Sequence, residues 1–156
     1  MQKNLSNATS DPRQAAFEAV YRATMYRAVW LVNGTAHRIC LRIGEVSADL
    51  DAWLDLQGVT CWAYLTAANP GSRALSAAEN AARQTALVVR LSAQGWSFLS
   101  GESLADDGQW PAESSILVAG LEEAAARALA IEFGQNAFLA GVRGQAARLC
   151  WTPKPS

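Results

Sequence analysis

Side-chain amides, a few hydroxyls and two arginines crowd one part of this chain, Thr66-Ala67-Ala68-Asn69-Pro70-Gly71-Ser72-Arg73 through Ser76, Glu79, Asn80 and Arg83. Amides of this kind both donate and accept, so a cluster of them can hold a polar ligand or tie a loop together. Ser72, Arg73 and the free N–H groups at a helix start near Ala77 and Ala78 form a combination able to hold a phosphate or carboxylate. The glycine and lysine spacing of a P-loop is missing, so the anion reading rests on that local geometry alone. Gln135 and Asn136 head a strand far along the chain, where their amides either cap a turn or face the Asn69 junction.

Three carboxylates compete for acid or base work near the same region: Glu79, Glu113 and Glu132. Glu132 shares a helical face with Leu121, Ala125 and Ala128, which predicts an inward carboxylate unless its long side chain bends outward. Glu102, Asp106, Asp107 and Glu113 gather around Trp110 and Pro111, but Asp-Asp-Gly is ordinary turn chemistry and the spacing matches no calcium loop. A single histidine, His37, excludes a two-histidine metal motif, and alternation with Ile39, Leu41 and Ile43 places it on a core-facing or rim position. No Gly-x-Ser-x-Gly elbow is present, and none of the cysteines opens a helix. Neither a metal nor a cofactor is expected.

These residues need elements to position them. Asp11-Pro12 with Gln14 starts a helix carrying Phe17, Val20, Tyr21 and Thr24 on one side, after a tail over residues 1–10. Tyr26–Val32 and Ala36–Ile43 form a hairpin about Asn33-Gly34, the dipeptide suited to a type I′ turn. Ser47 caps a helix with Leu50, Trp53 and Leu54 in one stripe and Gly58 at its end. After a strand over Val59–Thr66, Ser76 and Glu79 form a capping box for the longest helix, which stops at Gly95. Asn80 lies on the same side of that helix as Gln84, Leu87 and Leu91, so its amide points inward, while Glu79 and Arg83 are spaced to pair on the surface.

Strands over Trp96–Ser100 and Ser115–Ala119 follow, separated by an acidic loop from Gly101 to Glu113. A helix over Leu121–Phe133 then leads into strands near Asn136–Ala140 and Gln145–Trp151, with a tail over 152–156. The order α-β-β-α-β-α-β-β-α-β-β has too many adjacent strands for a doubly wound parallel sheet. It predicts a single α+β domain over residues 11–151, a mixed or largely antiparallel sheet with about four helices packed against it.

Composition agrees with one folded domain. The chain has 156 residues, 51% hydrophobic, with six tryptophans, a length at which roughly two-thirds of the unfolded surface is buried on folding. Thirteen basic and fourteen acidic residues give a net charge of −1 and no basic tract, which argues against nucleic acid as a partner. No window approaches the roughly eighteen continuous apolar residues of a membrane span, and the first ten residues lack the apolar run of a secretory signal. Cys40, Cys61 and Cys150 are odd in number, widely spaced and set in apolar runs, so they read as buried free thiols. A soluble cytoplasmic protein is expected.

The run from Tyr64 to Asn80, then Arg83, Glu113-Ser114 and Gln135-Asn136-Ala137, resembles a family of small bacterial proteins grouped as a domain of unknown function. That pattern is an apolar strand ending in Thr-Ala-x-Asn-Pro, a Ser-x-x-Glu-Asn helix start, a Glu-Pro-Ser strand entry and a Gln-Asn-Ala segment. The likeness spans residues 21 to 151, with Tyr21 and Tyr26 fitting the family's early tyrosines. Ala68 stands where an aromatic is common, and Pro111 and Ala112 precede Glu113 instead of the usual Glu-Pro order. The resemblance implies a bacterial cytosolic origin and one compact domain, and it names no activity. The expectation is therefore a binding module for a small polar or anionic ligand, or for a protein partner, at Asn69, Ser72, Arg73, Asn80, Arg83, Gln135 and Asn136. The alternative is an enzyme with a glutamate acid or base beside Asn69 and Asn80.

Overall fold

A computed structural model describes residues 11–153, so the expected tail over 1–10 and the last part of the tail over 152–156 lie outside the described residues. The elements follow the predicted order: α1 (Pro12–Arg22), β1 (Thr24–Val32), β2 (Thr35–Leu41), α2 (Ala48–Gln57), β3 (Cys61–Leu65), α3 (Ala77–Ala93), β4 (Phe98–Ala105), β5 (Glu113–Ala119), α4 (Glu123–Glu132), β6 (Ala137–Val142) and β7 (Arg148–Trp151). The strands make one seven-stranded sheet in the order β2-β1-β4-β5-β3-β6-β7. Every strand pair in it is antiparallel. The chain is thus a single α+β domain.

Local chemistry sets most element ends. Asn33 and Gly34 both adopt positive φ, at 48° and 79°, as a type I′ hairpin requires. Ser47 accepts from the Leu50 N–H to open α2, and Gly58 closes it in the left-handed region. Ser76 and Glu79 form the full capping box at the head of α3.

Because side chains alternate across a strand, each central strand serves two cores. Ala63, Leu65, Ile116, Val118 and Ala140 face α3 and α4, whose Leu87, Leu91, Ala126 and Leu129 complete one cluster. Trp62, Tyr64, Leu117, Ala119 and Leu139 face the other way, where Leu50, Trp53 and Leu54 of α2 meet Tyr26, Ala28, Ile39 and Leu41. Helices therefore cover both faces. The sheet edges also meet at one corner, where Ile43 just past β2 bridges Ala147 just before β7.

Several side chains depart from the expectation. His37 is exposed and lies beside the Trp30 ring, because the turn end of the hairpin extends beyond any covering helix. Cys40 is exposed, Cys61 is partly so and only Cys150 is buried, though all three are free thiols. Cys40 points to the outer side of the edge strand β2, opposite the face on which Ile39 and Leu41 meet α2. β4 runs on to Ala105, so Glu102 belongs to a strand and pairs with Arg27, while Asp106 pairs with Arg42.

Gly141 on β6 presses against the indole of Trp62, with an added Cβ falling 2.7 Å from the ring. Gly141 is not among the glycines with positive φ, so substitution tests packing alone. Gly141→Ala is expected to destabilise the fold by about 2 kcal/mol through overpacking, read as a lower urea midpoint with unchanged slope.

Candidate functional site

The loop between β3 and α3 is irregular and depends on side chains for its backbone hydrogen bonds. Ala67 donates its N–H to Gln84 Oε1 at 3.2 Å, and its carbonyl accepts from Arg83 Nε at 2.7 Å. The Ala68 carbonyl accepts from Gln135 Nε2 at 3.0 Å. Asn69 donates its N–H to Asn80 Oδ1 at 2.9 Å, while Asn80 Nδ2 returns a bond to Asn69 Oδ1 at 2.8 Å. Asn69 Oδ1 also accepts from the Leu75 N–H at 3.0 Å.

This reciprocal pair holds Asn69 at φ 47°, in the left-handed region, followed by the 3-10 turn Pro70–Ser72 with Gly71 at φ 65° and Ser72 at φ 60°. Asparagine tolerates that conformation better than most residues. Across the gap, the Gly71 N–H donates to the Gly134 carbonyl at 2.8 Å, and Asn136 Nδ2 donates to Ser72 Oγ at 3.1 Å. Thr152 is buried and donates its hydroxyl to the Gln135 carbonyl at 2.7 Å, fastening this corner to the end of β7.

With its other faces spoken for, Asn69 aims Nδ2 at Glu113, whose Oε1 accepts it at 2.6 Å and also accepts Trp110 Nε1 at 3.0 Å. Glu113 heads β5 on the same face as Ser115 and Tyr64. Beneath it lies a cavity of about 280 Å³ on the α2 side of the sheet, closed by α1. Phe17, Val20, Phe138, Leu139 and Leu149 supply apolar wall, and Asn69, Ser72, Glu113 and Gln135 form a polar end. A groove containing Asn80, Leu75 and Pro111 lies on the far side of Asn69 and Glu113, sharing those two residues, Ala68 and Trp110 with the cavity.

All three tyrosines of the chain, Tyr21, Tyr26 and Tyr64, line this cavity. Tyr26 and Tyr64 meet edge to face at 5.5 Å. Tyr64 donates to the Arg27 carbonyl at 2.8 Å, and Tyr26 to the Tyr21 carbonyl at 3.0 Å. Burial raises all three phenols, Tyr64 to about 12. The Glu113 charge adds to the rise at Tyr21 and Tyr26. The lid, α1, has no buried residue. It is held through Arg13, which reaches the Thr152 carbonyl and lies over the Trp151 ring, and through Tyr21 edge-on to the same ring.

Of the residues singled out in the sequence, Asn69, Ser72 and Gln135 line the cavity and Asn80 lines the adjoining groove. Asn136 supports Ser72 from behind. Arg83 is turned away to carbonyls of Ala67 and Phe133, so the expected Glu79–Arg83 surface pair gives way to these partly buried bonds and Glu79 keeps to its capping box. Arg73 is exposed and lines neither space. Glu132 bends outward to Arg90 at 2.9 Å instead of facing the core. Sequence reasoning missed Tyr64, Ser103 and Ser115 as cavity residues. Their signal was faint, because alternation along a strand assigns a face without telling whether space remains above it.

Among the described residues, no group of three or more His, Cys, Asp or Glu side chains is placed to hold a metal ion. Nor is any described helix long and apolar enough to cross a membrane. Residues 65–138, from the end of β3 to β6, match a family described as protein of unknown function (DUF3293). This stretch contains Asn69, Asn80, Glu113 and Gln135. No curated protein and no solved structure matches the chain.

Two outcomes follow from this geometry. Asn69→Ala should destabilise the protein by about 3 kcal/mol, combining left-handed strain with lost hydrogen bonds. Asn69→Gly, which relieves the strain, should recover about 1 kcal/mol of that in chemical denaturation. Second, a phenol raised in the folded state contributes stability that is full below the unfolded value of 10.0 and is lost as pH climbs through the folded value, about 12 for Tyr64. Tyrosinate absorbance should therefore stay low in native protein just above pH 10 and rise together with alkaline unfolding.

Proposed function

We propose that this protein is a cytoplasmic, non-catalytic binding module whose ligand is a small molecule held in the cavity beneath Glu113. One observation carries the reading: a partly covered space with apolar walls and a polar end, where amides from two separated parts of the chain, Asn69 and Gln135, meet one carboxylate. Small-molecule sites characteristically combine an apolar lining with a few placed polar groups. The volume of about 280 Å³ falls at the low end of such sites, which favours a ligand of one ring or a short chain. Three free cysteines favour a reducing compartment.

A catalytic reading rests on Glu113 alone, since it is the one of the three candidate glutamates that lines the cavity. Glu79 is used in a helix cap and Glu132 in a surface ion pair. Binding is the simpler use of the site, because no second titratable group stands beside Glu113 as a partner acid or nucleophile in the cavity wall other than the raised tyrosines.

A ligand-observed NMR screen of small aromatic and aliphatic fragments tests the proposal, with Ala105→Phe as a cavity-filling control. Binders are expected to perturb the Tyr21, Tyr64 and Trp110 resonances and to raise the melting temperature of wild type, and to do neither in a folded Ala105→Phe protein. Fragments that bind both proteins equally, or no binders from any charge class, would remove the cavity as the site.

A further inference from the structure

Resting on that cavity being the binding site, we infer that its ligand is a small organic cation, an ammonium or similar head group received by Glu113 with an apolar body lodged among the tyrosines. Glu113 is half-buried at the polar end of the cavity. Its bonds run to Asn69 Nδ2 at 2.6 Å and Trp110 Nε1 at 3.0 Å. Both donors are neutral, and both fall on the same oxygen, Oε1. The other oxygen has no hydrogen bond to any described residue.

Among the described residues, the ion pairs join Arg13 to Asp11, Arg27 to Glu102, Arg42 to Asp106, Arg90 to Glu132 and other surface partners, and none includes Glu113. Among the described residues, no arginine or histidine lines the cavity or the groove beside it. A carboxylate drawn away from solvent without a cationic partner is unfavourable, and a ligand that brings the missing charge recovers that energy.

The two arginines singled out in the sequence do not alter the balance. Arg83 is committed to the carbonyls of Ala67 and Phe133, and Arg73 lies on the exposed side of the turn. An anionic ligand would meet Glu113 with no compensating charge, which disfavours the phosphate or carboxylate ligand suggested by the helix start. That helix start is in any case filled by its own capping box. Six aromatic side chains, Phe17, Tyr21, Tyr26, Tyr64, Trp110 and Phe138, line the same space. Their ring faces attract cations as well as apolar groups.

Three probes matched in shape separate charge from size: phenethylamine, 2-phenylethanol and phenylacetate, titrated calorimetrically. The amine is expected to bind wild type about ten- to a hundredfold more tightly than the alcohol, as a charge-assisted hydrogen bond would give, and phenylacetate most weakly. Glu113→Gln keeps a carbonyl oxygen to accept from Asn69 and Trp110. It should therefore erase the preference for the amine while leaving the alcohol unchanged. In wild type, added salt should weaken the amine and spare the alcohol, a readout that does not depend on the variant folding. If the alcohol or phenylacetate binds as tightly as the amine, or if the amine is insensitive to both salt and Glu113→Gln, the cationic ligand is wrong while the cavity stands. If none of the three binds, both readings fall together.

Discussion

The reciprocal amide pair between Asn69 and Asn80 is the interaction on which the polar end of this molecule depends. Each amide gives the other one hydrogen bond, with the Asn69 backbone supplying the donor on its own side. This arrangement holds a residue at positive φ without glycine and consumes the polar atoms that would otherwise be stranded under the loop. What remains is the side-chain NH2 group of Asn69, and one of its N–H bonds is aimed at Glu113. Removing Asn80 would leave the loop backbone unsatisfied and the carboxylate unsteered.

The cavity itself arises from uneven coverage of one sheet face. Toward one end, α2 inserts Trp53 and Leu54 fully into that face and leaves no space. Toward the other, α1 lies over Thr24, Tyr26 and Ala105 without burying any of its own residues. Packed protein interiors are dense and seldom leave such volume empty. Here short side chains at Ala105, Ala137, Ser103 and Ser115 on the strand ends keep the floor low, while the tyrosines form upright walls. Arg13 and Tyr21 hold the cover at its β7 side, so the cover is fastened along one margin instead of being sunk into the core.

Much of this was legible along the chain because its causes are local. The Asn33-Gly34 turn, the Ser47 cap, the Gly58 stop and the Ser76–Glu79 capping box each involve residues within a few positions of one another. The inward direction of Asn80 was equally legible, because a helix of known phase has only one buried side. Residues with a choice of partners were not. Arg83 had Glu79 four positions away, yet two carbonyls from distant segments gave it a partly buried pair of acceptors that a surface carboxylate could not match. Glu132 sat on an apolar phase at the last position of α4, and its stem was long enough to reach Arg90. Cys40 lies on the outer face of β2, away from α2, and His37 at the turn end beyond the reach of that helix.

The amino-acid order alone determined the kinds and succession of elements, a sheet that is not purely parallel and the polar junction before the longest helix, since periodicity and turn chemistry act over short stretches of chain. Only the tertiary structure decided which strands became neighbours, that Glu113 rather than Glu79 or Glu132 came to face Asn69, and that three tyrosines from α1, β1 and β3 surround one space. Those outcomes depend on the register of strands distant in sequence and on which surface a helix fails to fill. Both are set by the packing of the whole domain and leave no short-range trace.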